Sequence, residues 1–147
     1  MLAYHVHEKA IMTAIIPLTL LIPLSISHAR LYLRTCIFGI YGLFPLLYRV
    51  QELPLKTCLY FLWLCMTIYV LQHHIKYDQK ENLVTLLDKV CIFVVCCVMI
   101  FAEIVHPLHV YPKMEFLPLM ITSLTVAVAL IGCWMHSAFL MYRFYNR

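Results

Sequence analysis

The chain has 147 residues, of which 64% are hydrophobic and 12% charged, against roughly 45–50% and 25% in ordinary soluble domains. A soluble fold of this length is too small to hide several uncharged runs of membrane-span length, so the composition is that of a membrane protein. The net charge of +4 is spread among the segments between those runs, which speaks for membrane orientation and against nucleic-acid binding.

The first notable stretch is Tyr4-His5-Val6-His7-Glu8-Lys9-Ala10-Ile11, two histidines, a carboxylate and an ammonium standing just ahead of an apolar run. A helix starting near His5 puts His5, Glu8 and Lys9 on one side and His7 on the other. The unbonded N–H groups and partial positive charge of a helix start attract phosphate, and Lys9 with a protonatable His5 adds to that attraction. The alternative is that Glu8 and Lys9 mark a membrane interface, as flanking charges do in many spans. The segment opens like a zinc-protease helix, but Ile11 stands where the second histidine belongs, so that metal pair is absent.

Ala10 to Ser27 carries no charge and forms the first expected span. Pro17 and Pro23 interrupt it and predict kinks whose freed carbonyls need partners from other helices. His28, Arg30 and Arg34 are expected to form the next loop. A short second span, Leu33–Tyr48, holds Arg34 and Arg49 at its ends, a tilted or re-entrant path being open to it. Gly39 and Gly42 within it suggest close helix approach. Gln51–Lys56 reads as a polar turn, and Leu55–Leu71 as the third span. The segment His73–Asn82 is the most polar of the chain and reads as a solvated loop.

The fourth span, Leu86–Val105, has Asp88 and Lys89 at its entrance and Glu103 one turn inside its exit. A carboxylate at that depth is expected to be paired, functional or reaching for headgroup water. His106 to Glu115 is a loop, and Phe116–Met141 is a fifth span long enough to tilt, with His136 read as an interfacial packing residue. The seven cysteines lie mostly within apolar runs, make no C-x-x-C pair, and read as small packing residues. No metal site is assigned: the adjacent His73 and His74 have no third ligand near them in sequence.

Loops alternate sides. Arg30, Arg34, Lys76, Lys80, Lys89, Arg143 and Arg147 fall on one side, and Lys9, Arg49, Lys56 and Lys113 on the other. The positive-inside bias places the richer side in the cytosol, so the His5–Lys9 cluster, the Gln51–Lys56 turn and the His106–Glu115 loop face the lumen. No secretory signal peptide, repeat or low-complexity linker is visible.

The stretch His5-Val6-His7-Glu8-Lys9-Ala10-Ile11 resembles a signature of the dolichyl-phosphate-glucose-dependent α-1,3-glucosyltransferase family of asparagine-linked glycosylation. Leu43-Phe44-Pro45-Leu46-Leu47 with Glu52-Leu53-Pro54-Leu55-Lys56, and the region of Cys96, Cys97 and Glu103, are similar to it as well. The likeness is closer to the second glucosyltransferase of the pathway than to the first. It implies an all-α polytopic membrane protein of about five transmembrane helices, the C-terminal portion of a larger GT-C-type bundle, in the endoplasmic reticulum membrane.

The implied partners are dolichyl-phosphate glucose as donor, dolichyl-diphosphate oligosaccharide as acceptor, and membrane lipid, with no cofactor. Under this resemblance His5, His7 and Lys9 bind the donor phosphate, while Glu8 and Glu103 position. The catalytic acidic residue is expected in a lumenal loop that nothing here matches, so the chain reads as a C-terminal fragment, inactive alone. Two rival readings are a small non-catalytic multi-span protein (a subunit or half of a transporter) and a histidine-based metal carrier. The second fails on topology, because His73 and His74 fall opposite His5, His7, His106 and His109.

Overall fold

The computed structural model describes residues 2–44, 53–73, 83–110 and 116–146, with side chains for all of these except 2–10, 12, 53 and 107–110. Among the described residues the structure is all-α: α1 (Leu2–Leu21), a 3-10 turn (Ile22–Leu24), α2 (Ile26–Tyr41), α3 (Leu53–His73), α4 (Leu86–Ile100), a π-helical segment (Phe101–Val110) and α5 (Leu117–Tyr145).

The path of α1 and α2 follows from a break at Pro23. Pro17 is carried within α1, whereas Pro23 sits in the 3-10 turn that ends it. Ser25 is extended (φ −164°, ψ 156°), and its side chain accepts from the His28 backbone N–H to start α2. The chain reverses there, so His28, Arg30 and Arg34 are not a loop as expected but lie on α2. The two arms close on each other at Gly39: a Cβ added there would stand 2.8 Å from Ile11 Cγ2 and 3.2 Å from Ile15 Cδ1. Ile11–Ile15 and Gly39 are about equally far from the break, which makes α1 and α2 an antiparallel hairpin. The glycine spacing noticed in the sequence serves that approach, and Gly42 serves a second one, against Val126 of α5 at 3.2 Å.

Helix α2 is the centre. It packs against α1, α3, α4 and α5, and Ala29, Leu33, Cys36, Ile37 and Tyr41 are all but sealed from solvent. The reason is its polarity. A helix carrying Arg30 and Arg34 cannot face hydrocarbon, while its neighbours can. Helix α3 runs back along it, with Tyr60 Oη donating to the Ile37 carbonyl at 3.1 Å. Helix α4 returns, and α5 descends with Thr122 and Val126 facing in.

Three helices, Pro54–His73, Leu86–His106 and Leu117–Tyr145, are long and apolar enough to cross a membrane, and Thr13–Leu24 is a shorter apolar stretch. Their outer faces are lined by large exposed apolar side chains such as Leu62, Phe93, Ile131 and Trp134, which suits a surface bathed in acyl chains or covered by further helices.

The alternation of direction sorts the polar residues into two ends. Arg34, Thr85, Asp88 and His136 meet at one. Phe44, Lys56 and Glu103 meet at the other, the end to which α1 points its N-terminus.

Candidate functional site

The cluster end is built from four elements. α1 is helical from Leu2 onward, so His5, His7, Glu8 and Lys9 lie within the helix and not at a helix start near His5. The side chains of His5, His7, Glu8 and Lys9 lie outside the described residues. Their place does not: the hairpin register carries residues 5–9 past the level of Gly39, toward Tyr41 and the turn at Phe44.

Against this end, Lys56 in the first turns of α3 donates its Nζ to Glu103 Oε1. Lys56 is the more enclosed partner, its side chain 7% exposed against 25% for Glu103. The ammonium also lies 5.7 Å from the Phe44 ring centroid, within cation–π range. Phe44 is held in turn by Tyr41 and Tyr60, each with ring centroids 5.4 Å away. Glu103 is therefore paired, the first of the alternatives its depth suggested. Its partner Lys56 was placed by sequence only in a polar turn, on the same side of the membrane as the exit of the span that carries Glu103.

Glu103 owes its direction to the π-helical segment. Pro107 has no N–H to return to the carbonyl of Glu103, four residues back, and the helix widens from Phe101 onward. The widened turn also carries His106, which is buried at 4% exposure. Such wide turns are frequent at functional sites.

The opposite end is a lock. Asp88 is fully buried and accepts from Arg34 Nε at 2.5 Å. It also accepts from the Thr85 backbone N–H at 2.7 Å and Thr85 Oγ1 at 2.6 Å, completing a capping box at the start of α4. The remaining donors of Arg34 reach Thr85 Oγ1 at 3.2 Å and His136 Nδ1 at 3.4 Å. Since Arg34 can only donate, Nδ1 of His136 is the unprotonated nitrogen. Arg30 Nε donates to the Leu83 carbonyl at 3.4 Å. Sequence reading missed this arrangement, treating Arg34 as a residue at a span end and His136 as packing.

The architecture defines an all-α membrane protein with a closed ion-pair lock at one end and an ion pair and a π-helical turn gathered at the other, to which α1 carries residues 5–9. A family model described as "ALG6, ALG8 glycosyltransferase family" matches residues 1–137. The chain belongs to that family.

Among its relatives, a protein of Coccidioides immitis named dolichyl pyrophosphate Glc1Man9GlcNAc2 alpha-1,3-glucosyltransferase is 32% identical over 89% of this chain and 26% of its own length. Proteins of the same name from Mus musculus and Arabidopsis thaliana are 33% and 29% identical, over 91% and 89% of this chain and 25% and 28% of their own lengths. The chain thus spans about a quarter of the length of the curated relatives it matches. No solved structure matches it.

Proposed function

We propose that this chain is the C-terminal, donor-gripping part of a glucosyltransferase of the endoplasmic reticulum membrane. The full reaction moves glucose from dolichyl-phosphate glucose to a dolichyl-diphosphate oligosaccharide in α-1,3 linkage on the lumenal face. The observation carrying the reading is the match of residues 1–137 to the family together with the names of the relatives.

The chemistry assigns the roles. An acceptor hydroxyl oxygen attacks C1 of glucose, the C1–O bond to phosphate breaks, and dolichyl phosphate leaves with the electron pair. The hydroxyl proton goes to a carboxylate supplied from outside this chain. What this chain contributes is stabilisation of the departing phosphate, for which cations beside a helix start are suited. Lys9, His5 and His7 take that role. Glu8 positions Lys9, and Glu103 positions Lys56. The chain alone transfers no sugar.

The test replaces the matching quarter of the Mus musculus relative with this chain and profiles lipid-linked oligosaccharides in cells depending on the chimera. Lys9→Ala is expected to lower transfer about a hundredfold, the scale of losing one charge-stabilising group at a reacting centre. Unchanged glucosylation would remove the cluster from the donor site.

A further inference from the structure

We propose that the Lys56–Glu103 ion pair, seated on the Phe44 ring, is a positioning element that sets the place of the α1 N-terminus and with it the affinity of the chain for a polyprenyl phosphate. The part concerning phosphate rests on the donor reading above; the part concerning placement does not.

Three observations carry it. First, the pair joins segments far apart in sequence at this end: Lys56 opens α3, Glu103 lies on the π-helical segment, and Phe44 follows α2, with Tyr60 of α3 on the same ring. Second, Phe44 belongs to the arm against which α1 folds. The Gly39 contact with Ile11 and Ile15 puts Tyr41–Phe44 at about the level of residues 8–11 of α1, beside the cluster. A shift of Phe44 is therefore passed to the start of α1 through a packed hairpin that contains no side chain at Gly39 to yield. Third, the segment bearing Glu103 is a π-helical turn that contains Pro107. A π-helical turn with a proline has one backbone bond fewer to hold it, so its register depends on what its side chains grip. Glu103 grips Lys56.

An ion pair this enclosed is weak evidence for stability as such, because desolvation offsets much of the attraction. Its firmer consequence is geometric. With either charge gone, the other is left in an enclosed apolar setting and must turn outward, taking its segment with it.

The experiment uses the chain in lipid nanodiscs, with hydrogen exchange of backbone amides and binding of a polyprenyl phosphate as readouts. Lys56→Met and Glu103→Gln are each expected to speed exchange about tenfold in Phe101–Val110 and in the first turns of α1, in the manner of a locally opening unit. The same variants raise the polyprenyl-phosphate dissociation constant about tenfold, within the usual range of coupling between sites. Lys56→Arg, which keeps both the charge and the contact with the Phe44 ring, restores both readouts. Should Glu103→Gln fail to fold by circular dichroism, the Lys56→Met and Lys56→Arg pair carries the same comparison.

The proposal falls if Lys56→Met leaves exchange at the start of α1 unchanged. It falls equally if exchange rises evenly over every helix, the Asp88 end included, since the pair would then be a general stability element. Lys9→Ala separates the two readings. If it leaves phosphate binding intact while Lys56→Met still loosens α1, the donor assignment is wrong and the positioning role stands.

Discussion

The Arg34–Asp88 lock gives the most quantitative expectation. Arg34→Leu removes three contacts at once, to Asp88 at 2.5 Å, Thr85 at 3.2 Å and His136 at 3.4 Å, and leaves a carboxylate with no exposure at all. Breaking a buried pair from one side costs about 3–5 kcal/mol. Here Asp88 keeps two bonds from Thr85, through its backbone N–H and hydroxyl, so the lower bound applies and a loss of about 3 kcal/mol is expected. Adding Asp88→Asn removes the stranded charge while leaving an amide that still meets Thr85. The double variant is then expected to be about 2 kcal/mol more stable than the sum of the two singles implies, the size of coupling seen between residues in contact. Reversible unfolding of the purified chain in mixed micelles, followed by helix content, measures all four corners of the cycle. A loss below about 1 kcal/mol for Arg34→Leu, the worth of an exposed pair, or strict additivity of the two changes, would refute the reasoning.

Two further outcomes test the packing. Gly39→Ala is expected to destabilise the α1–α2 hairpin by about 1–3 kcal/mol through overpacking against Ile11 and Ile15, whereas Gly132→Ala, which meets nothing within 4 Å, should be neutral or stabilising by up to about 1 kcal/mol; the same unfolding assay separates them. Tyr60→Phe removes the 3.1 Å bond to the Ile37 carbonyl, which keeps its own helical N–H partner within α2, and is expected to cost about 0.5–1.5 kcal/mol, the net worth of one hydrogen bond, with the aromatic contact to Phe44 retained.

Much of this was legible in the residues, for reasons that can be named. The apolar runs around Leu55–Leu71, Leu86–Val105 and Phe116–Met141 stand out because their outer faces need no polarity, so little interrupts them. The glycine pair at 39 and 42 announced close approach because a small residue in an apolar helix has few other uses. The course of the chain between 22 and 44 was not legible. Ala10–Ser27 has the length of a span, and nothing in its hydropathy distinguishes a helix that ends at Pro23 from one that continues through it, as α1 continues through Pro17. That one ambiguity moved Arg34 from a loop into the centre of the bundle. Its partner Asp88 could have been found from Thr85-x-x-Asp88 as a capping box, but the ion pair could not, since it depends on which helices become neighbours. Of the candidate site, Glu103 and the region of Lys56 were visible through family resemblance, while their union was visible only in three dimensions.

The two ends of α2 differ in a way that decides where a ligand belongs. At the Arg34 end the guanidinium meets a carboxylate, a hydroxyl and an imidazole nitrogen, and the carboxylate is further bound by a helix cap. An arrangement that complete leaves no direction from which a phosphate could approach without breaking a better contact, so it is suited to fixing helices and unsuited to binding. At the other end the Lys56 ammonium faces the face of a ring and one carboxylate oxygen of Glu103, which stands on a π-helical turn, at the end of the bundle to which α1 carries Lys9. The Lys56 ammonium thus has fewer polar partners than the Arg34 guanidinium among the described residues. The same asymmetry separates the outcomes of substitution: Arg34→Leu should lower stability while leaving the discrimination between polyprenyl phosphate and its neutral alcohol in place, and Lys9→Ala should abolish that discrimination in a chain that remains fully folded.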